Sequence, residues 1–186
     1  MTPDDNRFFV LTGGPGAGKT TVIEALEALG YPTTREAGRG VIRDETEHGG
    51  GALPWIDRQA FAERMFEWEL RSYRQAERTE GPVFFDRGLP DTIGYLRLES
   101  LDVPSWMEEE AWRLRYHARV FIAPPWREIY GVDEERRQSW DVAVRTHAVM
   151  AETYADYGYD LVELPRDSVR ARVEFLTAAA TAAGRR

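Results

Sequence analysis

Of the 24 lysine and arginine residues in the chain, Lys19 alone is a lysine. It closes the run Gly13-Gly14-Pro15-Gly16-Ala17-Gly18-Lys19-Thr20, followed by Thr21, which fits the pattern G-x-x-x-x-G-K-[ST]. A glycine-rich loop of this kind turns backbone N–H groups onto a phosphate. A compact ammonium on a thin stem reaches in beside the β- and γ-oxygens, where a planar guanidinium is too wide. The hydroxyl of Thr20 falls on the magnesium side. The helix that begins here adds its dipole and its free N–H groups to the anion site. The run Gly13 to Thr21 is therefore expected to bind a nucleoside triphosphate.

Two carboxylates and a set of arginines complete the candidate chemistry. Asp86 ends the apolar run Val83-Phe84-Phe85, where a second magnesium-site carboxylate belongs in a phosphate-loop protein. The next residue is Arg87, in the place where many ATPases carry a water-orienting glutamate. An arginine suits holding a substrate or a phosphoryl group, which favours transfer over hydrolysis. Glu36, in Arg35-Glu36-Ala37-Gly38-Arg39, is expected on the acceptor side of the cleft, accepting a proton or a hydrogen bond from a substrate hydroxyl. An ion pair with Arg39 or Arg87 is the competing role for it. Residues 126–137 follow the fourth expected strand, where small phosphate-loop kinases carry a mobile lid. Arg127, Arg136 and Arg137 are its candidates for closing on the transferring phosphoryl group. Asp133 stands three and four residues before the last two, a spacing that also suits surface ion pairs.

The elements that must place these residues read as alternating strands and helices. Phe8-Phe9-Val10-Leu11 is a buried strand entering the glycine loop, and a helix over 21–29 stops at Gly30. Further strands are expected at 33–36, 82–86, 119–123 and 159–164. Helices are expected at 37–47, 56–78, 90–98, 105–116 and 133–157, with a last one capped by Ser168. Phe61, Met65, Phe66, Leu70 and Tyr73 form an apolar stripe on the long helix, which reads as core. The alternation predicts a three-layer α/β fold, a five-stranded parallel sheet with helices on both faces. In such sheets ligands bind at the carboxyl ends of the strands, where Glu36, Asp86 and the glycine loop all fall.

Composition narrows the class. At 186 residues the chain is expected to form one domain, 1–186. The net charge is −8 with no basic tail, which argues against nucleic acid as partner. Cysteine is absent, so disulfides and thiolate metal sites are excluded. His48, His117 and His147 lack a close metal-ligand spacing and read as structural or surface residues. The polar, acidic start and the short apolar runs predict a cytoplasmic protein with no membrane partner. Nothing in the sequence speaks to oligomeric state.

Over nearly its full length the chain resembles the small phosphate-loop proteins labelled AAA-type ATPases, related to ribosylnicotinamide kinase domains. The resemblance rests on Leu11 to Thr21, on Arg35-Glu36-Ala37-Gly38-Arg39 and on Phe84-Phe85-Asp86-Arg87-Gly88-Leu89-Pro90-Asp91. Pro124-Pro125-Trp126 through Arg137, and Tyr154 through Pro165, extend it. It implies a nucleoside- or nucleotide-kinase-like fold using ATP and Mg2+. It also implies an acceptor site near Glu36 and Arg87, and adenine at Pro165-Arg166-Asp167-Ser168, with Arg166 and Ser168 in the nucleotide site. The expected activity is phosphoryl transfer from ATP to a hydroxyl of a small molecule, with nucleoside-like compounds among the candidate acceptors. The alternative is a regulatory ATPase or nucleotide switch acting on a protein partner. A GTPase is disfavoured, since its guanine-reading Asn-Lys-x-Asp needs a second lysine. Replacing Lys19 by alanine should abolish ATP turnover with the fold intact. Lys19→Arg should be severely impaired too, and turnover near the wild-type rate would overturn the slot-size argument.

Overall fold

The computed structural model describes residues 7–130 and 139–183. Its first strand, β1 (Phe8–Gly13), runs directly into the glycine loop, and α1 (Lys19–Ala28) leaves it. Then come α2 (Ala37–His48), α3 (Arg58–Ala76), β2 (Val83–Asp86), α4 (Leu89–Leu98) and α5 (Ser105–Arg113). The chain continues with β3 (Arg119–Ala123), α6 (Trp140–Asp156), β4 (Asp160–Glu163) and α7 (Val169–Ala183). The sheet is parallel, in the order β2-β1-β3-β4. Leu11 pairs with Asp86 and Gly13 with Ala123, so the glycine loop and the end of β2 open on the same edge of the sheet.

The sheet has four strands rather than the expected five. Residues 33–36 contribute one parallel bridge, Thr33 with Phe84, outside any strand. Phe84 N–H donates to the Pro32 carbonyl at 2.9 Å and Thr34 N–H to the Phe84 carbonyl at 3.0 Å. The ladder goes no further because Thr34 spends its hydroxyl on the Asp86 N–H, at 3.1 Å, and Glu36 already stands at the N-terminus of α2. Proline before the bridge also lacks a donor for an outer neighbour.

Side chains on β1 alternate between two cores. Phe8 and Val10 pack with Phe85, with Phe61, Phe66 and Tyr73 of α3, and with Ile93 of α4. Phe9 and Leu11 face Phe84, Phe121, Val22 and Leu26 of α1, and Leu176 of α7. Both faces of a parallel sheet are thereby covered, which requires near-continuous apolar strands. The stripe read on the long helix is core as expected, apart from Leu70, which is only half-buried against it. Asp57 caps α3 by accepting from the Ala60 N–H at 2.9 Å, and Ser139 caps α6 through Val142.

The first turn of α6 presses on the glycine loop. A Cβ at position 14 would stand 2.4 Å from the Ala143 carbonyl oxygen, a backbone atom that cannot swing aside. Gly14→Ala should cost roughly 1–3 kcal/mol through forced displacement of loop or helix. Chemical unfolding of the ligand-free protein measures it, and an unchanged midpoint would mean that the contact yields freely.

Candidate active site

Lys19 opens α1 and is withdrawn from solvent, 7% exposed. Its Nζ donates to the carbonyls of Gly13 and Gly14, at 3.0 and 2.7 Å. Burial, with Arg87 nearby, lowers its pKa from 10.5 to about 8, although Glu36, Asp86 and Asp91 pull the other way. The ammonium therefore lacks a full counter-charge inside the loop, the condition of a cation waiting for an anion.

Arg87 sits at the turn from β2 into α4 with φ of 74°, a left-handed conformation that is costly for a side chain of its size. Its guanidinium over-determines that turn. Nε donates to Glu36 Oε1 at 3.1 Å, and one Nη donates to both Asp91 Oδ1 and the Gly13 carbonyl, each at 3.1 Å. Burial would lower its pKa, but Glu36, Asp91 and Asp86 outweigh that and raise it.

Glu36 also pairs with Arg39, at 3.3 Å. Both competing ion pairs foreseen for it therefore form. Burial would raise its pKa, yet Arg87, Lys19 and Arg39 together lower it, so it is ionised at neutral pH. Asp86 behaves oppositely. Burial, with Glu36 and Asp91 nearby, raises its pKa from 3.8 to about 6 against Lys19 and Arg87. Its Oδ1 is buried and has no hydrogen-bond partner. A hard divalent cation fits such an oxygen, and Thr20, half-buried one residue after Lys19, offers the second oxygen ligand expected of a magnesium site.

Asp91 was not singled out by sequence reading, yet it joins four elements. It accepts from the Thr12 hydroxyl on β1, from Arg87, from the Gly88 N–H at 3.0 Å and from the Tyr154 hydroxyl of α6 at 2.6 Å. Its signal was present: a carboxylate four residues after an arginine and in the first turn of a helix behind Pro90. Glu69 on α3, 1% exposed, is a second missed acid. Burial and the negative charges of Asp91 and Asp86 push its pKa well up.

The remaining expected site residues lie around this cluster. Arg127 is exposed, its guanidinium 4.9 Å from the centre of the Trp140 ring. Arg136 and Arg137 lie outside the described residues, and with them most of the expected lid. Arg166 and Ser168 are exposed between β4 and α7, where the Ser168 hydroxyl accepts from the Ala171 N–H at 3.3 Å. Gly16 is covered by the Tyr130 ring, since a Cβ there would meet it at 2.5 Å.

The raised pKa of Asp86 is a stability cost with a defined sign. A carboxyl that holds its proton more tightly folded than unfolded destabilises the fold as pH climbs from 3.8 to about 6, and fully above that. Asp86→Asn removes the cost. In metal-free buffer it should stabilise the protein by on the order of 2 kcal/mol at pH 8, and by almost nothing near pH 4. Thermal melts at the two values test this, and a variant less stable than wild type at pH 8 would contradict it.

Comparisons with known proteins bear on the fold that carries this cluster. Residues 8–172 match the family model described as an AAA domain. The adenylate kinase of Chlamydia pneumoniae is 32% identical over 94 residues, 48% of this chain and 44% of that enzyme, so the chain spans less than half of that relative. The solved deoxyadenosine kinase from M. mycoides, with dCMP and dCDP, is 16% identical with a TM-score of 0.66, over 94% of this chain and 99% of that one. NadR in complex with NR is 18% identical with a TM-score of 0.63, over 95% of this chain and 50% of that one. Shikimate kinase from Acinetobacter baumannii with shikimate is 16% identical with a TM-score of 0.55, over 95% and 94%. At such identities the likeness is one of fold, a parallel α/β nucleotide-kinase-like fold. With its glycine loop, its Asp86–Arg87 turn and a family match from residue 8 to residue 172, the chain belongs to the AAA-domain family of P-loop proteins.

Proposed function

We propose that this protein is an ATP-dependent phosphotransferase that moves the γ-phosphoryl group of ATP to a hydroxyl of a small molecule. The observation that carries the reading is the cluster at the end of β2. There Arg87, in place of a water-orienting glutamate, is tied to Glu36 on one side and to Asp91 on the other. No carboxylate directly follows Asp86 in the chain to activate water. Of the two carboxylates that reach Arg87, Glu36 comes from the N-terminus of α2, on the side read as the acceptor's. Relatives in fold support the reading, since their names describe kinases of a nucleoside and of shikimate.

On this reading the phosphates sit in the loop 13–20 and draw the Lys19 ammonium from the Gly13 and Gly14 carbonyls. Asp86 and Thr20 would hold Mg2+, which would supply positive charge to offset that of the phosphates. Glu36 accepts the hydrogen bond of the acceptor hydroxyl and orients it. Its low basicity is no obstacle, because phosphoryl transfer passes through a loose transition state in which positioning counts for more than proton removal. Arg87 fixes the Glu36 carboxylate and presents positive charge where the transferring group develops negative charge.

Hydrolysis without an acceptor should be slow, well below the roughly 1–100 s⁻¹ of kinases with substrate. A screen of nucleosides, sugars, aminoglycosides and amino alcohols, read as ADP formation, should yield a compound that raises the rate at least about tenfold. Glu36→Gln should remove most of that stimulation and spare ATP binding. Fast hydrolysis with no acceptor, or stimulation by a protein partner alone, would replace the kinase with a regulatory ATPase.

A further inference from the structure

Arg172, one turn into α7, is the largest side chain fully withdrawn from solvent among the described residues, at 2% exposure. No described carboxylate pairs with it, and burial alone lowers its pKa. One Nη donates to the Ala17 carbonyl at 3.0 Å, while Nε is buried without a partner. The other Nη packs so closely on the loop that a Cβ at position 18 would lie 2.8 Å from it. The guanidinium also lies over the Trp126 ring, 5.8 Å from its centre. An unpaired buried cation is among the costliest groups a core can hold. A neutral donor would satisfy one carbonyl at far smaller cost, so the positive charge itself needs a reason.

The peptide that Arg172 grips supplies one. The Ala17 carbonyl and the Gly18 N–H are opposite ends of a single trans peptide unit. A cation on the carbonyl side polarises the unit and strengthens the N–H on the other side, which in a trans unit points away from Arg172. We propose that Arg172 is a positioning residue for nucleotide binding: it fixes and polarises the Ala17–Gly18 peptide, so that the loop binds phosphate more tightly. The inference rests on the reading of this loop as a nucleotide site. It gives α7 a part in binding through its buried face, separate from the exposed Arg166 and Ser168.

The test uses the full chain and calorimetric titration with ATP, ADP and AMP in magnesium buffer. Arg172→Met should weaken ATP and ADP at least about tenfold and AMP less, while the ligand-free melting temperature stays within about 3 °C of wild type. Arg172→Lys, which keeps charge and a donor, should recover part of the loss. Wild-type ATP affinity in Arg172→Met would overturn the inference. So would a loss shared equally by all three nucleotides and accompanied by a much lower melting temperature, since that marks a structural staple. A wild-type protein that binds none of the three would overturn the nucleotide reading and this inference together. Binding by wild type with no loss in the variant sinks this inference alone.

Discussion

Charge balance in a largely buried cluster is the constraint from which the rest of this structure follows. Two cations, Lys19 and Arg87, share their surroundings with the carboxylates of Glu36, Asp86 and Asp91. The groups settle this unevenly. Arg87 takes two of the carboxylates as direct partners, and Glu36 is pulled down in pKa by its neighbours. Asp86 is left with an unpartnered oxygen and a raised pKa, and Lys19 with backbone carbonyls and a lowered one. An anion at the lysine and a cation at the aspartate would relieve both. A triphosphate with its magnesium ion brings that pair of charges.

Such an arrangement needs a frame that does not give way. Asp91 ties β1, α4 and α6 to the turn that carries Arg87, and it does so with four donors on one carboxylate. The left-handed turn at Arg87 is held because its guanidinium is anchored at three acceptors. The glycine loop is hemmed in by α6 at Gly14, by Tyr130 at Gly16 and by Arg172 at Gly18. Preorganised donors of this kind lose little to reorganisation when charge arrives.

Much of this was legible in the sequence because it depends on local pattern. The lone lysine, the glycine spacing, the apolar run ending in Asp86 and the alternation along β1 all act over a few residues. The expected strand at 33–36 failed because propensity says nothing about the Thr34 hydroxyl taking the Asp86 N–H or about α2 starting at Glu36. Asp91 went unnoticed because its importance lies in partners 63 and 79 residues away. Arg172 went unnoticed because one arginine among so many carries no mark of its burial. Only its position beside Val173, in the stripe continued by Leu176 and Ala180, set it apart. Glu36 was singled out from its place in Arg35-Glu36-Ala37-Gly38-Arg39, but its two ion pairs could be weighed only once α2 and β2 were set side by side.

Lys19 is an under-compensated ammonium with a lowered pKa, suited to receive phosphate, and its proton count on nucleotide binding reads that state out. With a pKa of about 8 it is roughly half protonated at pH 8, and a bound triphosphate must drive it to full charge. Titrating magnesium–ATP at pH 8 in buffers of different ionisation enthalpy gives the protons exchanged per nucleotide. Uptake approaching about half a proton is expected of the wild-type protein, and none of Lys19→Met. Binding with no proton uptake, or with release, would contradict it.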